Sequence, residues 1–444
     1  MSIKIGFVSL GCAKNLMDTE VMLHHVAEAG YEITPDETEA DVVIINTCAF
    51  IESAKKEAID NILDIAWLKK NRSLKGIVVC GCLSERYRDE ILKEFPEVDA
   101  VLGTGSIHSI TEAIAEVLKG KRYSRFDDQE KIDFGGDRAV TTGDAFAYIK
   151  ISEGCRNRCA YCAIPSIRGN FRSRSMESII KEAKDLDALG IKELVVIAQD
   201  TTCYGIDLYG EYKLPELLRR ITEETKIPWI RVLYCYPDKI TDEFVKEMRD
   251  NPRIVKYIDL PIQHISDKML TAMNRHGDSA CIKDAIERLR TVPDIVIRTT
   301  AIVGFPGETE EDFSELCEFV LNARFERFGA FTYSREENTP AYSMEGQIDE
   351  QVKQDRYDIL MKHQLSVSEE LNRSMIGREL DVLCEDFDPV SEAFVGRSYM
   401  DAPDIDGKVF FTSEKGETFK EGDFVRVKIT EALDYDLVGK AVGN

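Results

Sequence analysis

The sequence predicts an α/β protein in three parts: an amino-terminal doubly wound parallel sheet over residues 1–135, a central (βα) barrel over 136–370 and a small antiparallel β-barrel over 371–444. Three observations carry this reading. In the first two parts, short apolar runs alternate with helix-length patterns, as they do where strands are buried on both faces. In the last part, five short β-rich runs follow one another with no helix between them. A chain of 444 residues with 43% hydrophobic content can also bury two or three cores.

In order along the chain, IKIGFVSL, DVVIINT, GIVVCG and DAVLGT read as parallel strands, separated by helical patterns over 18–29, 52–70, 84–95 and 107–118. Sheets of this kind carry functional residues at the carboxyl ends of their strands. The segment 123–143, rich in charge, glycine and threonine, reads as a hinge. Beyond it, FAYIKIS, ELVVIAQ, WIRVLYCY, YIDLPIQ, IVIRTTAIVG and RFGAFTYS are six strands, with helices such as 176–189 and 214–224 between them. Six βα units make a parallel barrel, partial or closed, with its active site at the carboxyl-terminal mouth. From residue 377, RELDVLCE, AFVGRSY, GKVFFTS, DFVRVKITEA and DLVGKAV are the five runs of the last barrel, with turns such as IDG and EGD between them.

The cysteines carry the chemistry. Cys155, Cys159 and Cys162, in EGCRNRCAYC, follow the first barrel strand at a spacing no apolar core requires. They read as a trident for a cubane iron-sulfur cluster, on which three thiolates leave one iron open to substrate. The alternatives are three buried thiols or a structural zinc site, which would want a fourth ligand nearby, and Cys203 is the nearest cysteine beyond. Cys12, Cys48 and Cys82 each follow one of the first three apolar runs, so the sheet brings them to one edge. They read as a second three-cysteine cluster site, against the alternative of ordinary core cysteines. Cys80, two residues earlier in its strand, sits about 7 Å deeper, which favours Cys82 as the ligand. Cys203, Cys235, Cys281, Cys317 and Cys384 show no spacing logic and read as structural. Other strand ends offer lining for the barrel mouth: Gln199 and Asp200, Tyr234 and Tyr236, Gln263 and His264, Arg298, and Gly304 to Glu308 in GFPGE.

Charge narrows the partners. The net charge of -24 argues against a polyanion, because nucleic-acid binding leans on basic surface. The tail from Gly377 holds 8 Lys or Arg against 16 Asp or Glu, so it should dock a basic protein. The start, MSIKIGFVSLGC, reads as a strand and not as a leader, and with twelve cysteines it points to a reducing compartment, the cytoplasm. No stretch approaches the ~20 apolar residues of a membrane span. No heptads or repeats are present, so a monomer is expected.

The CxxxCxxC run resembles that of the radical S-adenosylmethionine enzymes. Together with SLGCAKN, NTCAFI, GCL, EGCRNRCAYCAIP, GFPGET and a tail resembling a TRAM domain, the whole chain resembles the methylthiotransferases. SLGCAKN and DAPDIDG look like the branch that modifies the β-carbon of an aspartate in the decoding-centre protein of the small ribosomal subunit, number twelve in its series. The resemblance implies two [4Fe-4S] clusters and S-adenosylmethionine. Cys155, Cys159 and Cys162 would serve generation of a deoxyadenosyl radical, and Cys12, Cys48 and Cys82 delivery of methylated sulfur. It also implies an electron donor such as flavodoxin or ferredoxin. Tyr161 matches an aromatic near the adenine, or is an ordinary half-buried tyrosine. The Gly-Gly-Glu run of many relatives is absent in that form, and Gln199 and Asp200 in AQDTT stand in its place. Gly304 and Gly307 match a glycine-rich stretch near the adenine or ribose, and Arg298 is a further candidate contact. Two other readings remain: a transfer RNA adenosine methylthiotransferase, which the acidic tail disfavours, and a non-catalytic iron-sulfur protein associated with the ribosome.

Overall fold

A computed structural model describes residues 2–131, 135–413 and 416–442, so residues 132–134 of the expected hinge lie outside the described residues. The chain forms two compact units. The first comprises Met1–Thr141, Ser152–Arg174 and Ser334–Tyr342, and the second comprises Thr142–Ile151, Ser175–Tyr333 and Ser343–Asn444.

The first unit is built on a six-stranded sheet of β1 (Lys4–Ser9), β2 (Glu32–Thr34), β3 (Val42–Thr47), β4 (Gly76–Gly81), β5 (Ala100–Leu102) and β6 (Tyr123–Arg125), in the order β2-β1-β3-β4-β5-β6. All of its pairings are parallel. Alternate residues of β3 serve opposite cores. Val42 and Ile44 pack with Met22, Val26, Ile110 and Ile114, whereas Val43 and Ile45 pack with Ala58, Ile62 and Ile91. This two-sided burial is why the central strands read as continuous apolar runs. The expected helix over 84–95 is two helices, Cys82–Tyr87 and Asp89–Glu94, broken at Arg88, whose φ is 44°. After β7 (Phe146–Lys150), which belongs to the second unit, the hairpin of β8 (Ser152–Glu153) and β9 (Arg172–Ser173) is again part of the first.

In the second unit, β10 (Glu193–Ile197), β11 (Trp229–Val232), β12 (Ile254–Asp259), β13 (Val296–Val303) and β14 (Arg327–Thr332) join β7 in a parallel sheet of order β14-β13-β12-β11-β10-β7. Each strand neighbours the next in sequence, as in a (βα) barrel, but β7 and β14 are the two edges, so the barrel is partial. The tail is a closed barrel of β15 (Glu379–Asp388), β16 (Ala393–Arg397), β17 (Val409–Thr412), β18 (Phe424–Ala432) and β19 (Leu437–Ala441). Its pairings are antiparallel except for β17 with β19, which is parallel. A closed ring with an odd number of strands cannot alternate direction throughout, so five strands require one such pair.

Within this unit the barrel is tied to the open sheet by buried ions. Glu193 of β10 pairs with Arg231 at 2.6 Å and with Arg397 at 2.7 Å, and all three side chains are fully buried. The segment DAPDIDG adds more: Arg327 Nη2 donates to Asp401 at 2.6 Å and Tyr257 Oη donates to Asp406 at 2.6 Å.

Candidate active site

β1, β3 and β4 are adjacent, and one candidate cysteine follows each. Cys12 caps the helix Ala13–Glu28 and is exposed, while Cys48 directly after β3 is buried. Cys82 is the first residue of the helix Cys82–Tyr87, buried directly after β4. Gly11 makes the approach possible. Its φ is +94°, and a Cβ there would lie 2.8 Å from Cys48 Cβ and 3.1 Å from Cys48 Sγ. Burial pushes the Cys82 thiol up to about 12, against the pull of the Arg168 guanidinium, with the neighbouring Cys48 and Cys12 thiols adding to the rise. Burial also raises the Cys48 thiol. Cys80 is fully buried, with its sulfur 3.7 Å from Met22 Sδ, so it belongs to the core.

The trident lies in the same unit. Cys155, Cys159 and Cys162 occupy the loop between β8 and the short helix Ile164–Arg168; Cys159 is buried and the other two are half-buried. Gly154 before them has φ +73°, and a Cβ there would stand 2.1 Å from Asn170 O, so the hairpin admits only glycine. The Cys162 amide donates to Cys159 O at 3.0 Å, and the Cys155 amide donates to Gly169 O at 3.3 Å, which fixes both ends of the loop. The Ala341 amide donates to Ala160 O at 2.9 Å, bracing the middle. Tyr161 is half-buried. Among the described residues no three His, Cys, Asp or Glu side chains surround a single metal ion. Thiolates on a cubane bind separate irons and stand farther apart than ligands of one ion. A donor set of thiols alone fits such a cluster.

In the second unit, Gln199 and Asp200 follow β10. Asp200 is buried and held by its own turn: it accepts from Thr202 Oγ1 at 2.5 Å and Cys203 Sγ at 3.1 Å, with Lys239 Nζ at 3.6 Å. Gly304 and Gly307 follow β13 with φ of +74° and +81°. A Cβ on Gly304 would meet Lys353 Cγ at 2.3 Å. The loop is pinned by Glu308, buried, which accepts from the Gly304 amide and Arg356 Nη1, both at 2.6 Å. His264 Nδ1 accepts from the Ser266 amide at 3.0 Å, leaving Nε2 to donate to Glu308 at 3.2 Å. This histidine is thus a satisfied structural one. Arg298 does not stand at a strand end, because β13 runs on to Val303; its guanidinium pairs with Asp259 at 2.7 Å and faces Asp406 at 3.5 Å.

Sequence reasoning passed over Asn15, Arg168 and Glu336. Each is a buried polar side chain. Their one signal was a position inside a quoted motif or beside it, as Asn15 in SLGCAKN.

A partial parallel barrel whose first strand leads into three clustered cysteines, joined to a three-cysteine sheet edge and a closed five-stranded barrel, defines a radical S-adenosylmethionine enzyme with two attached domains. Comparison with known proteins agrees. Residues 4–103 match an uncharacterized family designated UPF0004, 149–320 the radical SAM superfamily and 376–442 the TRAM domain. A Thermoanaerobacter protein named ribosomal protein uS12 methylthiotransferase RimO is 51% identical over 98% of this chain and 99% of its own. A Desulforamulus reducens protein of the same name is 50% identical, covering 98% of this chain and 99% of its own. The chain belongs to this family of radical S-adenosylmethionine methylthiotransferases. Among solved structures, the methyltransferase TsrM from Kitasatospora setae, with cobalamin and a [4Fe-4S] cluster bound, superposes with a TM-score of 0.59 at 13% identity, over 77% of this chain and 74% of its own. At that identity the likeness shows the fold.

Proposed function

We propose that this chain converts a β-carbon C–H bond of an aspartate in ribosomal protein uS12 into C–S–CH3, using two [4Fe-4S] clusters and S-adenosylmethionine. Cys155, Cys159 and Cys162 would hold the radical-generating cluster, and Cys12, Cys48 and Cys82 the cluster that presents sulfur. The observation that carries the reading is that one compact unit holds both cysteine triads, each on backbone built for close approach. When bound, such clusters supply an electron for cleavage of S-adenosylmethionine and an open iron for sulfur.

The chain's own residues do the rest. Burial shields Cys48 and Cys82 of the sulfur-delivery edge from water, while Cys12 is exposed. Glu308 holds the amide of Gly304, so the glycine-rich backbone presents a fixed surface on which Gly304 and Gly307 would meet the adenosyl part of the cofactor. Gln199 or Asp200, in the place of the Gly-Gly-Glu run, would engage the methionine part. The acidic tail, with 16 Asp or Glu against 8 Lys or Arg, attracts a basic ribosomal protein and repels transfer RNA.

On this reading residues 1–135, 136–370 and 371–444 are sulfur-delivery, radical and docking domains of a monomer. It works in the cytoplasm on electrons from flavodoxin or ferredoxin. Among the described residues no helix is long and apolar enough to cross a membrane. The test is mass spectrometry after anaerobic incubation of the reconstituted, reduced enzyme with S-adenosylmethionine, uS12 and bulk transfer RNA. A methylthio gain on a uS12 aspartate is expected. A gain on nucleoside alone would overturn the substrate, and cofactor cleavage with no modified product would overturn both substrates.

A further inference from the structure

Asn15 and Arg168 meet beside the three cysteine-bearing loops of the first unit. Asn15 is fully buried on the first turn of Ala13–Glu28. Its Nδ2 donates to Leu10 O at 3.0 Å and to Thr47 O at 2.9 Å. Leu10 lies two residues before Cys12, and Thr47 directly precedes Cys48. On its other side, Asn15 Oδ1 accepts from Cys82 Sγ at 3.6 Å. One amide therefore touches all three loops.

Arg168 comes from the other triad's side of the sequence. It ends the helix Ile164–Arg168, which follows the trident, and it is buried. Its Nη2 donates to Asn15 Oδ1 and lies 3.7 Å from Cys82 Sγ, while Nη1 donates to Asp18 Oδ2 at 2.6 Å and faces Glu153 Oε2 at 3.4 Å. A ligating sulfur has no proton to give, so Asn15 Oδ1 cannot bond to it, whereas the Arg168 guanidinium can donate to it. Arginine suits the place, since its fork reaches several acceptors at fixed angles and keeps its charge when buried.

We propose that Asn15 and Arg168 are a positioning pair for the amino-terminal cluster: Asn15 sets the loops of Cys12 and Cys48, and Arg168, bonded to Asn15, supplies a fixed positive charge at Cys82 and ties that ligand to the loop bearing the trident. This rests on the assignment of Cys12, Cys48 and Cys82 to a cluster. A cationic hydrogen-bond donor at a ligand sulfur stabilises the more negative, reduced cluster, so it raises the midpoint potential.

The test uses the full chain with Cys155→Ala, Cys159→Ala and Cys162→Ala, which leaves only the amino-terminal site. Iron content and the potentiometric midpoint, followed by paramagnetic resonance, are compared for this parent and for added Arg168→Gln, Arg168→Lys and Asn15→Ala. Arg168→Gln should shift the midpoint downward, Arg168→Lys should restore most of that shift, and Asn15→Ala should lower iron content. Should Arg168→Gln not fold, Arg168→Gln/Glu153→Gln, which removes one of the two buried carboxylates that face Arg168, takes its place and is compared with Glu153→Gln alone, relative to which the midpoint should again fall. Midpoint and iron content equal to the parent's in every variant would overturn the pair's role. A parent that binds no cluster would overturn the assignment beneath it, and the pair with it.

Discussion

Replacing Glu193 with Gln tests how the carboxyl-terminal barrel is held to the open sheet. The carboxylate accepts from Arg231 Nε at 2.6 Å and pairs with Arg397 Nη2 at 2.7 Å, with no solvent at any of the three side chains. The amide keeps one acceptor and turns its NH2 toward a guanidinium. Breaking a buried pair on one side costs about 3–5 kcal/mol. The low end applies, because Arg397 keeps Glu385 at 2.6 Å and Arg231 keeps Tyr399 O at 2.9 Å. A loss of about 3 kcal/mol corresponds to a melting drop of roughly 6–12 °C, taking the ~2–4 °C per kcal/mol of larger domains. The chain supplies its own reporter: the Trp229 ring stands 4.8 Å from that of Phe424, across the same seam. With Trp67→Phe as background, Trp229 fluorescence follows urea unfolding of this unit alone.

The pH dependence has a definite sign. Burial would raise the Glu193 carboxyl, but Arg231 and Arg397 outweigh it and hold it below the usual range. A depressed folded pKa gives stability that is present above the unfolded value, ~4.3, and lost as pH falls through the folded one. The gap between parent and Glu193→Gln should therefore be full at pH 7 and shrink in acid below about pH 4. A gap under ~1 kcal/mol at pH 7, or one unchanged down to pH 3, would refute the argument that this ion set holds the seam.

Other perturbations separate the parts of the site. Alanines at Cys155, Cys159 and Cys162 should abolish S-adenosylmethionine cleavage, whereas alanines at Cys12, Cys48 and Cys82 should leave cleavage uncoupled from product, as read by chromatography of 5'-deoxyadenosine; equal loss in both would count against the division of labour. Gly11→Ala puts a methyl 2.8 Å from Cys48 Cβ at a φ of +94°, a cost of about 1–3 kcal/mol, and should halve bound iron or lower it further, by colorimetric iron assay. Glu336→Gln strips the carboxylate that pairs with Arg86 at 2.7 Å and Lys55 at 3.2 Å, which should speed proteolytic nicking within 334–342 severalfold, by gel densitometry.

Much of this was legible because the strands that carry the site are uniformly apolar. β3 and β4 are buried at every residue, so their runs, and the cysteines directly after them, could be read from the chain. The edge strands β2 and β6 escaped notice, being three residues each with exposed positions and no apolar run. The first helix was expected from residue 18 but begins at Ala13, because its opening turns bury Lys14, Asn15 and Asp18 where periodicity looks for apolar side chains. The parallel pair in the tail barrel was implicit in counting five runs, since an odd ring forces it.

The division into units was not legible, because chain order and packing disagree at the trident. The loop follows β7, so order assigns it to the barrel. Ala163 and Ile167, however, pack in the amino-terminal core beside Ile62 and Val79, and Arg168 reaches Asp18 and Cys82. No pattern within 152–174 announces those partners, which lie some 80 to 150 residues earlier in the chain; only the lone arginine after an apolar turn hints at a buried counter-charge. The consequence is physical: the loop that would generate the radical takes its stability from the core that would deliver the sulfur. Loosening that core at Ile167→Ala should cost about 2–5 kcal/mol and disturb both cysteine triads together. An apolar substitution confined to the barrel, such as Leu218→Ala, should spare them. Iron loss of the same size in both variants would show that the loop draws its stability from the barrel after all.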